Sequence, residues 1–306
     1  MNRRDFLRKS AVVGTTAAMG LAMSDNLLAN GLTSAGMVNP DMVAIRGGAP
    51  DTMFDKAIEA WGGMGRLVKK GQRVVVKPNI GWNVVPERGA NTNPLLVKQI
   101  VKHCLEAGAK EVLVFDHTAD VWTKCYKNSG IESAVKSVGG KMVPGNNEKY
   151  YHKVDIPKAK RLKETKVHEL VMEADVFINV PVLKHHVSTR LSLGIKNLMG
   201  IVWDRQYWHK NDLHQCIADF GTFKVPDLTI VDAYNVMRRN GPMGVSVDDV
   251  VNQKAQLITT DPVAADAASA RMFGMAPEEV TYIRLAHELG VGNMDLSKLN
   301  IRKLKI

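Results

Sequence analysis

The chain has 306 residues, of which 45% are hydrophobic and 24% charged, and its formal net charge is +10. This is the composition of an ordinary globular protein, and no segment after the N-terminal leader is apolar enough to span a membrane. The densest basic run, from Lys153 to Lys166, carries no aromatic-basic binding motif. We therefore expect no nucleic acid partner and interpret the run as a solvated loop or a patch that attracts an anionic ligand.

The first 30 residues have the layout of a bacterial export signal. Arg3 and Arg4 stand just before Phe6-Leu7, and an uncharged stretch follows from Ala11 to Ser24. The pattern predicts a twin-arginine signal peptide over residues 1–30, a linker over 31–41 and a single α/β domain over 42–306. An uncleaved anchor or an amphipathic first helix is the alternative. The predicted location is periplasmic or otherwise exported, and the twin-arginine export machinery is the predicted partner.

After the linker, β-type runs alternate with helical patterns. A strand, a loop, a helix and a strand over 74–115 form a βαβ signature, which implies parallel pairing with a right-handed crossover. The sequence therefore predicts an α/β fold with an open, mostly parallel doubly wound sheet and helices on both faces. The predicted strands cover 42–45, 73–77, 111–115, 141–143, 176–180, 228–231 and 256–259, and the predicted helices cover 54–67, 94–107, 131–138, 167–173, 262–273 and 277–289.

The number and spacing of the cysteines give no support for a site built on cysteine side chains. The sequence has Cys104, Cys125 and Cys216, which is an odd number with no CxxC spacing. A disulfide framework, a structural zinc site and an iron–sulfur ligand set are all unsupported by this pattern.

Polar residues follow several predicted strands. Ligands of open parallel sheets bind outside the carboxyl ends of the strands, so these residues are candidates for one site. They are Lys77 and Asn79 after the second strand, Asp116 and His117 after the third, Asn179 and Lys184 at and beyond the fifth, Asp232 after the sixth and Asp261 after the seventh.

The segment from Asn179 to Gly200 is the richest in candidate groups. It contains Lys184, His185 and His186, and then Lys196 and Asn197 between two glycines. Lysines beside glycine-flanked backbone amides suit a phosphate or a carboxylate. Asp116, Asp232 and Asp266 with His185 are candidates for a metal site, although the sequence contains no local ligand spacing such as HxxxH.

Together these motifs resemble the domain of unknown function family 362, over about residues 42–275. The family name implies no reaction. Relatives often carry a ferredoxin-like segment with cysteine-rich cluster motifs, which this chain lacks, so no iron–sulfur cluster is expected from this chain alone. The Lys-Pro-Asn strand end is also similar to that of the lactate-racemase family, which supports an α/β, enzyme-like fold. The matching segments are 75–79, Asp116, 179–185, 193–200, 231–233, Gly241-Pro242 and 261–266.

The first functional hypothesis is an exported enzyme of unknown reaction acting on a small carboxylate or phosphate. Lys184, His185 and Asp116 are its predicted catalytic residues, because a lysine holds an anion, a histidine moves a proton and a carboxylate orients it or binds a metal ion. Its predicted substrate-binding residues are Lys77, Asn79, Lys196, Asn197 and Asp232. The alternative is a periplasmic ligand-binding or redox accessory protein without its own catalysis. A metal ion is a possible cofactor, and a redox or metabolic protein is a possible partner.

Overall fold

A computed structural model describes residues 39–306. The signal peptide predicted for residues 1–30 and most of the predicted linker lie outside the described residues. Ten of the strands form one large sheet, and β5 and β6 form a separate hairpin. The strands are β1 Met42–Arg46, β2 Arg73–Pro78, β3 Glu111–Val114, β4 Lys141–Met142, β5 Tyr151–Asp155, β6 Glu164–His168, β7 Val176–Val180, β8 Val182–His186, β9 Arg190–Ser192, β10 Leu228–Met237, β11 Val250–Thr259 and β12 Ile301–Lys305.

The helices cover both faces of the large sheet. Between residues 39 and 306, none of them is both long enough and apolar enough to cross a membrane. The α-helices are α1 Pro50–Trp61, α2 Pro94–Glu106, α3 Trp122–Asn128, α4 Ile131–Lys136, α5 Glu169–Glu173, α6 Gly194–Asn197, α7 Arg205–Lys210, α8 Leu213–Gly221, α9 Pro262–Phe273 and α10 Thr281–Glu288.

The order of strands in the large sheet is β12-β1-β11-β10-β7-β2-β3-β4, with β8 pairing β10 and β9 beyond it. The run from β10 through β7, β2 and β3 to β4 is parallel, whereas β11 is antiparallel to both β10 and β1. The predicted α/β class with a mostly parallel sheet is therefore confirmed, and the departures from it are strand β11 and strand β9, which pairs antiparallel with β8.

The core lies on both sides of this sheet. Along β2, Val75 packs into one apolar cluster while Val74 and Val76 pack into the other. Phe177 and Ile178 of β7 divide between the clusters in the same way. Because successive side chains of a strand point to opposite faces, a strand buried along its whole length needs cover on both faces. Helices α1 and α2 cover one face, and α8, α9 and α10 cover the other.

Three predicted helices have different bounds in the structure. The helix predicted over 167–173 begins only at Glu169, because residues up to His168 pair with β5 as strand β6. The helix predicted over 54–67 ends at Trp61, where Gly62 takes a left-handed conformation with φ of 110°. The one predicted over 277–289 is a 3₁₀ turn over Pro277–Glu279 followed by α10.

Two predicted strand ends are corrected as well. Strand β10 continues through Asp232 to Met237, so Asp232 lies within a strand. Strand β11 runs antiparallel to β10, which places Asp261 at the opposite edge of the sheet from the ends of the parallel strands. Strands β5, β6, β8, β9 and β12 were not predicted. All five have three to five residues, and their pairing depends on partners outside their own sequence pattern.

Candidate functional site

The ends of the parallel strands bring the first candidate residues together. Strands β2, β3 and β7 are adjacent and parallel, so their carboxyl ends meet at one edge of the sheet. Lys77 stands at the end of β2, and Asp116 follows β3. After β7, the chain continues as β8, which brings Lys184 beside the end of β10. This edge is therefore the place where the predicted site forms.

Lys77 and Asp116 form a buried ion pair. Their side chains are 1% and 3% exposed, and Lys77 Nζ lies 2.9 Å from Asp116 Oδ1. The other carboxylate oxygen of Asp116 accepts a hydrogen bond from Ile80 N at 2.7 Å. Burial lowers the pKa of Lys77, and the charge of Asp116 opposes that shift. The pair is thus a fixed element of the site whose two charges neutralise each other.

Asn197 orients this pair through its side-chain amide. Its Oδ1 accepts hydrogen bonds from Lys77 Nζ at 2.8 Å and from Asn79 Nδ2 at 3.0 Å. Its Nδ2 donates to Asn179 Oδ1 at 2.8 Å. Buried polar groups need such partners because an unsatisfied amide is costly away from water. Lys77, Asn79 and Asn197, three of the predicted binding residues, therefore form one connected network.

Asp266 fixes the start of helix α6, which carries Lys196 and Asn197. Its two oxygens accept hydrogen bonds from Gly194 N at 2.6 Å and from Ile195 N at 3.0 Å. The side chain is fully buried, and burial raises its pKa to about 8 while the two backbone donors oppose that rise. Asp266 thus caps the helix and does not join the other predicted metal ligands.

Gly200 lets the backbone pass directly over the ion pair. A Cβ atom added there would overlap Asp116 Oδ1 and would lie 2.5 Å from Lys77 Cε and 2.6 Å from Lys77 Nζ. Its carbonyl oxygen accepts a hydrogen bond from His117 N at 2.9 Å. Only glycine fits at this position without displacing the pair.

Three further cations have no carboxylate partner. Lys184 is 1% exposed, and its Nζ donates to Ala90 O and, at 3.3 Å, to Asn79 Oδ1. The Nζ of Lys196, a half-buried side chain, contacts Met199 Sδ at 3.5 Å. Among residues 39–306, no carboxylate oxygen lies within 4.0 Å of either lysine ammonium group or of the Arg205 guanidinium. These charges are therefore not neutralised by the protein.

The mutual repulsion of these cations shows in their pKa values. Burial, together with the charges of Lys196 and Lys77 and against the attraction of Asp116, lowers the pKa of Lys184 to about 7. Burial also lowers the pKa of Lys196 to about 7, together with the charges of Arg205 and Lys77. A bound anion would relieve this repulsion and favour the charged form of both lysines.

Arg205 reaches the site from helix α7. Its guanidinium donates from Nη1 to His117 O and from Nη2 to Thr118 O, both at 2.8 Å. Backbone carbonyls hold the group in place, and burial lowers its pKa against the attraction of Asp116. Sequence reasoning missed this residue, because nothing in the local pattern indicates that α7 packs against the loop after β3.

Three histidines line the site, His117, His186 and His209, and the rings of the first two have opposite hydrogen-bonding polarity. His117 Nδ1 donates to Val202 O at 2.9 Å, which leaves Nε2 of the neutral ring as an acceptor. His186 Nδ1 instead accepts from Ser188 N at 3.1 Å, which leaves Nε2 as a donor. Burial lowers the pKa of both rings, that of His186 to about 2. Both histidines are thus neutral near pH 7, one as a base and one as a hydrogen-bond donor.

His185 does not join them. Its Nδ1 accepts a hydrogen bond from Gly241 N at 3.1 Å, and it is not among the residues that line the cavity. Because side chains of a strand alternate, Lys184 and His186 of β8 share one face and His185 takes the other. Had residues 182–186 been predicted as a strand, the alternation of its side chains would have indicated His186 as the histidine that shares a face with Lys184.

Asp232 also lies apart from the cavity. Its Oδ2 accepts from Asn93 N, the residue before α2, at 2.7 Å, and its Oδ1 accepts from Tyr234 N at 3.0 Å. The predicted metal site is not assembled. Asp116, Asp232 and Asp266 lie apart, and each carboxylate accepts a hydrogen bond from the backbone of a different segment. Within residues 39–306, no group of three or more His, Cys, Asp and Glu side chains has an arrangement suited to a metal ion.

The assembled groups surround a cavity of about 440 Å³, here called the inner cavity. Its walls carry four cationic side chains and one carboxylate, namely Lys77, Lys184, Lys196, Arg205 and Asp116. A second depression of about 800 Å³, the outer groove, lies beside it and is bounded by residues of the β5–β6 hairpin and by residues 203–207. The inner cavity is strongly electropositive and suits a small anion.

Comparison with known proteins places these features in a family context. The model of the family described as "Domain of unknown function (DUF362)" matches residues 74–271. The thylakoid-associated protein sll1697 of Synechocystis sp. is 29% identical over 194 residues, which cover 61% of this chain and 59% of that protein. The chain thus spans about three fifths of the length of this relative.

Two solved structures overlap with the fold in part. The lactate racemase apoprotein from Thermoanaerobacterium thermosaccharolyticum has a TM-score of 0.44 and 15% identity, covering 72% of this chain and 55% of that one. A protein from Thermotoga maritima has a TM-score of 0.43 and 15% identity, covering 78% of this chain and 58% of that one.

Proposed function

Because the chain belongs to the DUF362 family, whose description names no reaction, we propose its function from the inner cavity. The protein binds a small oxyanion, a carboxylate or a phosphate, at the carboxyl ends of the parallel strands and acts on it as an enzyme. The observation that carries this proposal is the imbalance of charge in the cavity wall, where four cations face a single carboxylate.

The charge imbalance points to a ligand because isolated buried charges are costly. Asp116 neutralises Lys77, so Lys184, Lys196 and Arg205 remain without a counter-charge. Burying a cation without a partner costs several kcal/mol. Of the three, Lys184 is 1% exposed whereas Lys196 and Arg205 are half-buried, so this cost falls mainly on Lys184 unless an anion enters. Lysine and arginine donors are the usual partners of carboxylate and phosphate oxygens. An oxyanion therefore accounts for the arrangement.

The roles of the predicted catalytic residues follow from this arrangement. Lys184 holds the oxyanion, and Asp116 fixes Lys77 beside it. The proton transfer first assigned to His185 belongs in this proposal to His117, whose Nε2 lone pair accepts a proton from a ligand atom beside the anionic group. Arg205 and the lysines stabilise the negative charge that develops on the ligand.

A second candidate function is a ligand-binding accessory protein without catalysis. A specific observation favours it, since neither His117 nor His186 pairs with a carboxylate. Among residues 39–306, histidine–carboxylate contacts involve His103 with Asp55 and His152 with Glu169, which do not line the inner cavity. A binding protein needs the cavity and its cations alone.

Substitution of His117 separates the two candidates. The full chain is incubated with a mixture of small carboxylates and phosphate esters, and products are followed by mass spectrometry. For an enzyme, His117→Asn lowers turnover at least about 100-fold, as loss of a general base does, while anion binding persists. The matched control His152→Asn leaves turnover unchanged. Binding without any product in the unaltered protein supports the accessory role instead.

A further inference from the structure

The outer groove continues directly from the inner cavity. His117, Arg205 and Gln206 line both spaces, so the two share a wall. The inner cavity, at about 440 Å³, and the groove, at about 800 Å³, both have the size of a site for an organic molecule, and the groove is the larger of the two. A ligand that fills the inner cavity therefore has a path along which a longer body can extend.

The lining of the groove contains more basic than acidic side chains: Lys153, Arg161, Lys163, Lys166 and Arg205 against Glu148, Glu164 and Asp204. Lys153 is paired with Glu164 at 2.7 Å, and Lys166 is paired with Glu148. Arg161 also lines the groove, and in the part of the chain that the structure describes it has no carboxylate within ion-pair distance. Its side chain is exposed and positively charged. The groove thus has a cation free to meet an acidic group.

Lys163 adds a second such cation. Its Nζ donates to Ala159 O, a backbone carbonyl that holds the side chain without neutralising it. Trp203 and Tyr207 also line the groove, and they offer apolar surface for the body of a ligand. Cations without ion-pair partners in both spaces, with apolar surface on the groove wall, are the arrangement expected for a molecule with two acidic groups, one for each space.

We propose that the inner cavity and the outer groove together bind one extended organic ligand that carries an acidic group at each end. One group lies among Lys184, Lys196 and Arg205, and the other lies at Arg161 and Lys163. The proposal rests on the proposed function, since the inner group is the oxyanion of that proposal.

Matched phosphonates test this by calorimetry. Methylphosphonate and hexylphosphonate offer one acidic group, and alkane-α,ω-bisphosphonates of increasing chain length offer two. Because linking two binding groups makes the second contact intramolecular, a bisphosphonate of matching length should bind at least about tenfold more tightly than hexylphosphonate. Shorter bisphosphonates should show no such gain.

Substitutions in the groove test whether its cations cause the tighter binding of the bisphosphonate. The double variant Arg161→Gln with Lys163→Gln should bind the bisphosphonate only as tightly as hexylphosphonate, with binding of methylphosphonate unchanged. Lys158→Gln with Lys160→Gln is the matched control, because it removes the same charge from exposed residues of the same loop that do not line the groove. The control should keep the full gain.

The outcomes that overturn the proposal are distinct from those that overturn the proposed function. If methylphosphonate binds but no bisphosphonate binds more tightly than hexylphosphonate, the extended ligand is rejected and the inner site stands. The same holds if the control variant loses the gain as fully as the groove variant. If none of the phosphonates binds the unaltered protein, both proposals fail.

Discussion

The Lys77–Asp116 pair illustrates how a residue can be placed at a site without being free to bind there. Lys77 was predicted to bind substrate because it ends a parallel strand. In the folded protein its ammonium group is shared among Asp116, Asn197 and the carbonyl of Pro78. Its main effect on a ligand is therefore positional and electrostatic, whereas Lys184 and Lys196 retain uncompensated charge.

Substitution of Asp116 should reveal the cost of this buried pair. Asp116→Asn leaves the ammonium of Lys77 buried without its counter-charge, and it should lower the free energy of unfolding by about 3–5 kcal/mol. Urea denaturation followed by circular dichroism measures the change. Adding Lys77→Met removes the stranded charge and should recover much of the loss. A single variant as stable as the unaltered protein would show that the pair is not buried as described.

We expect anion binding to depend on pH through Lys184. Its pKa in the folded protein is lowered to about 7, so the ammonium form that attracts an anion is lost as pH rises through 7. Binding of inorganic phosphate should weaken above this pH more steeply than in Lys184→Met, measured by calorimetry at constant ionic strength. Identical pH profiles of the two proteins would contradict the role given to Lys184.

The stability of the ligand-free protein should change in the opposite direction. The ordinary pKa of lysine is 10.5, so between about 7 and that value the unfolded chain holds a proton on Lys184 that the folded chain has released. The free energy of unfolding contributed by this residue therefore rises with pH across that window. Below it, the cost of burying the charge is present in full.

At the scale of elements, most of the candidate site residues predicted from the sequence were chosen because they follow predicted parallel strands. Lys77 and Asp116 follow runs that are hydrophobic along their whole length, which is typical of strands buried on both faces. That rule needs only local pattern and topology, and it placed both residues correctly. It failed at Asp232, because β10 does not stop there, and at Asp261, because β11 runs the other way.

The remaining errors have a common physical origin in packing between distant segments. His185 was chosen over His186 because residues 182–186 were not recognised as a strand, so the alternation of its side chains was not applied. Arg205 could not be found because α7 is positioned by tertiary contacts. Asp266 was mistaken for a possible ligand because its backbone donors, Gly194 N and Ile195 N, come from a distant helix start.

Gly200 offers a prediction about the loop that closes the site. Gly200→Ala places a methyl group into the space occupied by Asp116 and Lys77, so it should both lower the melting temperature and weaken phosphate binding. Gly65→Ala is the control, because an added Cβ atom there meets no atom within 4 Å. Equal effects of the two substitutions in a thermal melt would contradict the close packing at Gly200.

At the scale of the whole molecule, the net charge of +10 and the electropositive cavity act in the same direction. A positive field over the surface raises the local concentration of anions and their rate of association. The family membership anticipated from the Lys-Pro-Asn, Lys-His and Lys-Asn motifs is confirmed over residues 74–271. The single domain over 42–306 stays a prediction, as does the location outside the cytoplasm.

Export by the twin-arginine route is a proposal that one substitution tests. Because that pathway reads the paired arginines, changing Arg3→Lys together with Arg4→Lys should retain the chain in the cytoplasm while preserving charge. Cell fractionation followed by immunoblotting measures the distribution, and Arg8→Lys is the matched control. Unchanged export of the double variant would reject the twin-arginine assignment.

The central claim is that the inner cavity binds an oxyanion through its uncompensated cations. Titration calorimetry with inorganic phosphate and with acetate, below pH 7 and at fixed ionic strength, tests it most directly. We predict one binding site per chain for at least one of these anions, a marked loss of affinity in Lys196→Met and no change in Lys158→Met, an exposed lysine outside the cavity. Absence of binding by the unaltered protein, or equal losses in the two variants, would contradict the account.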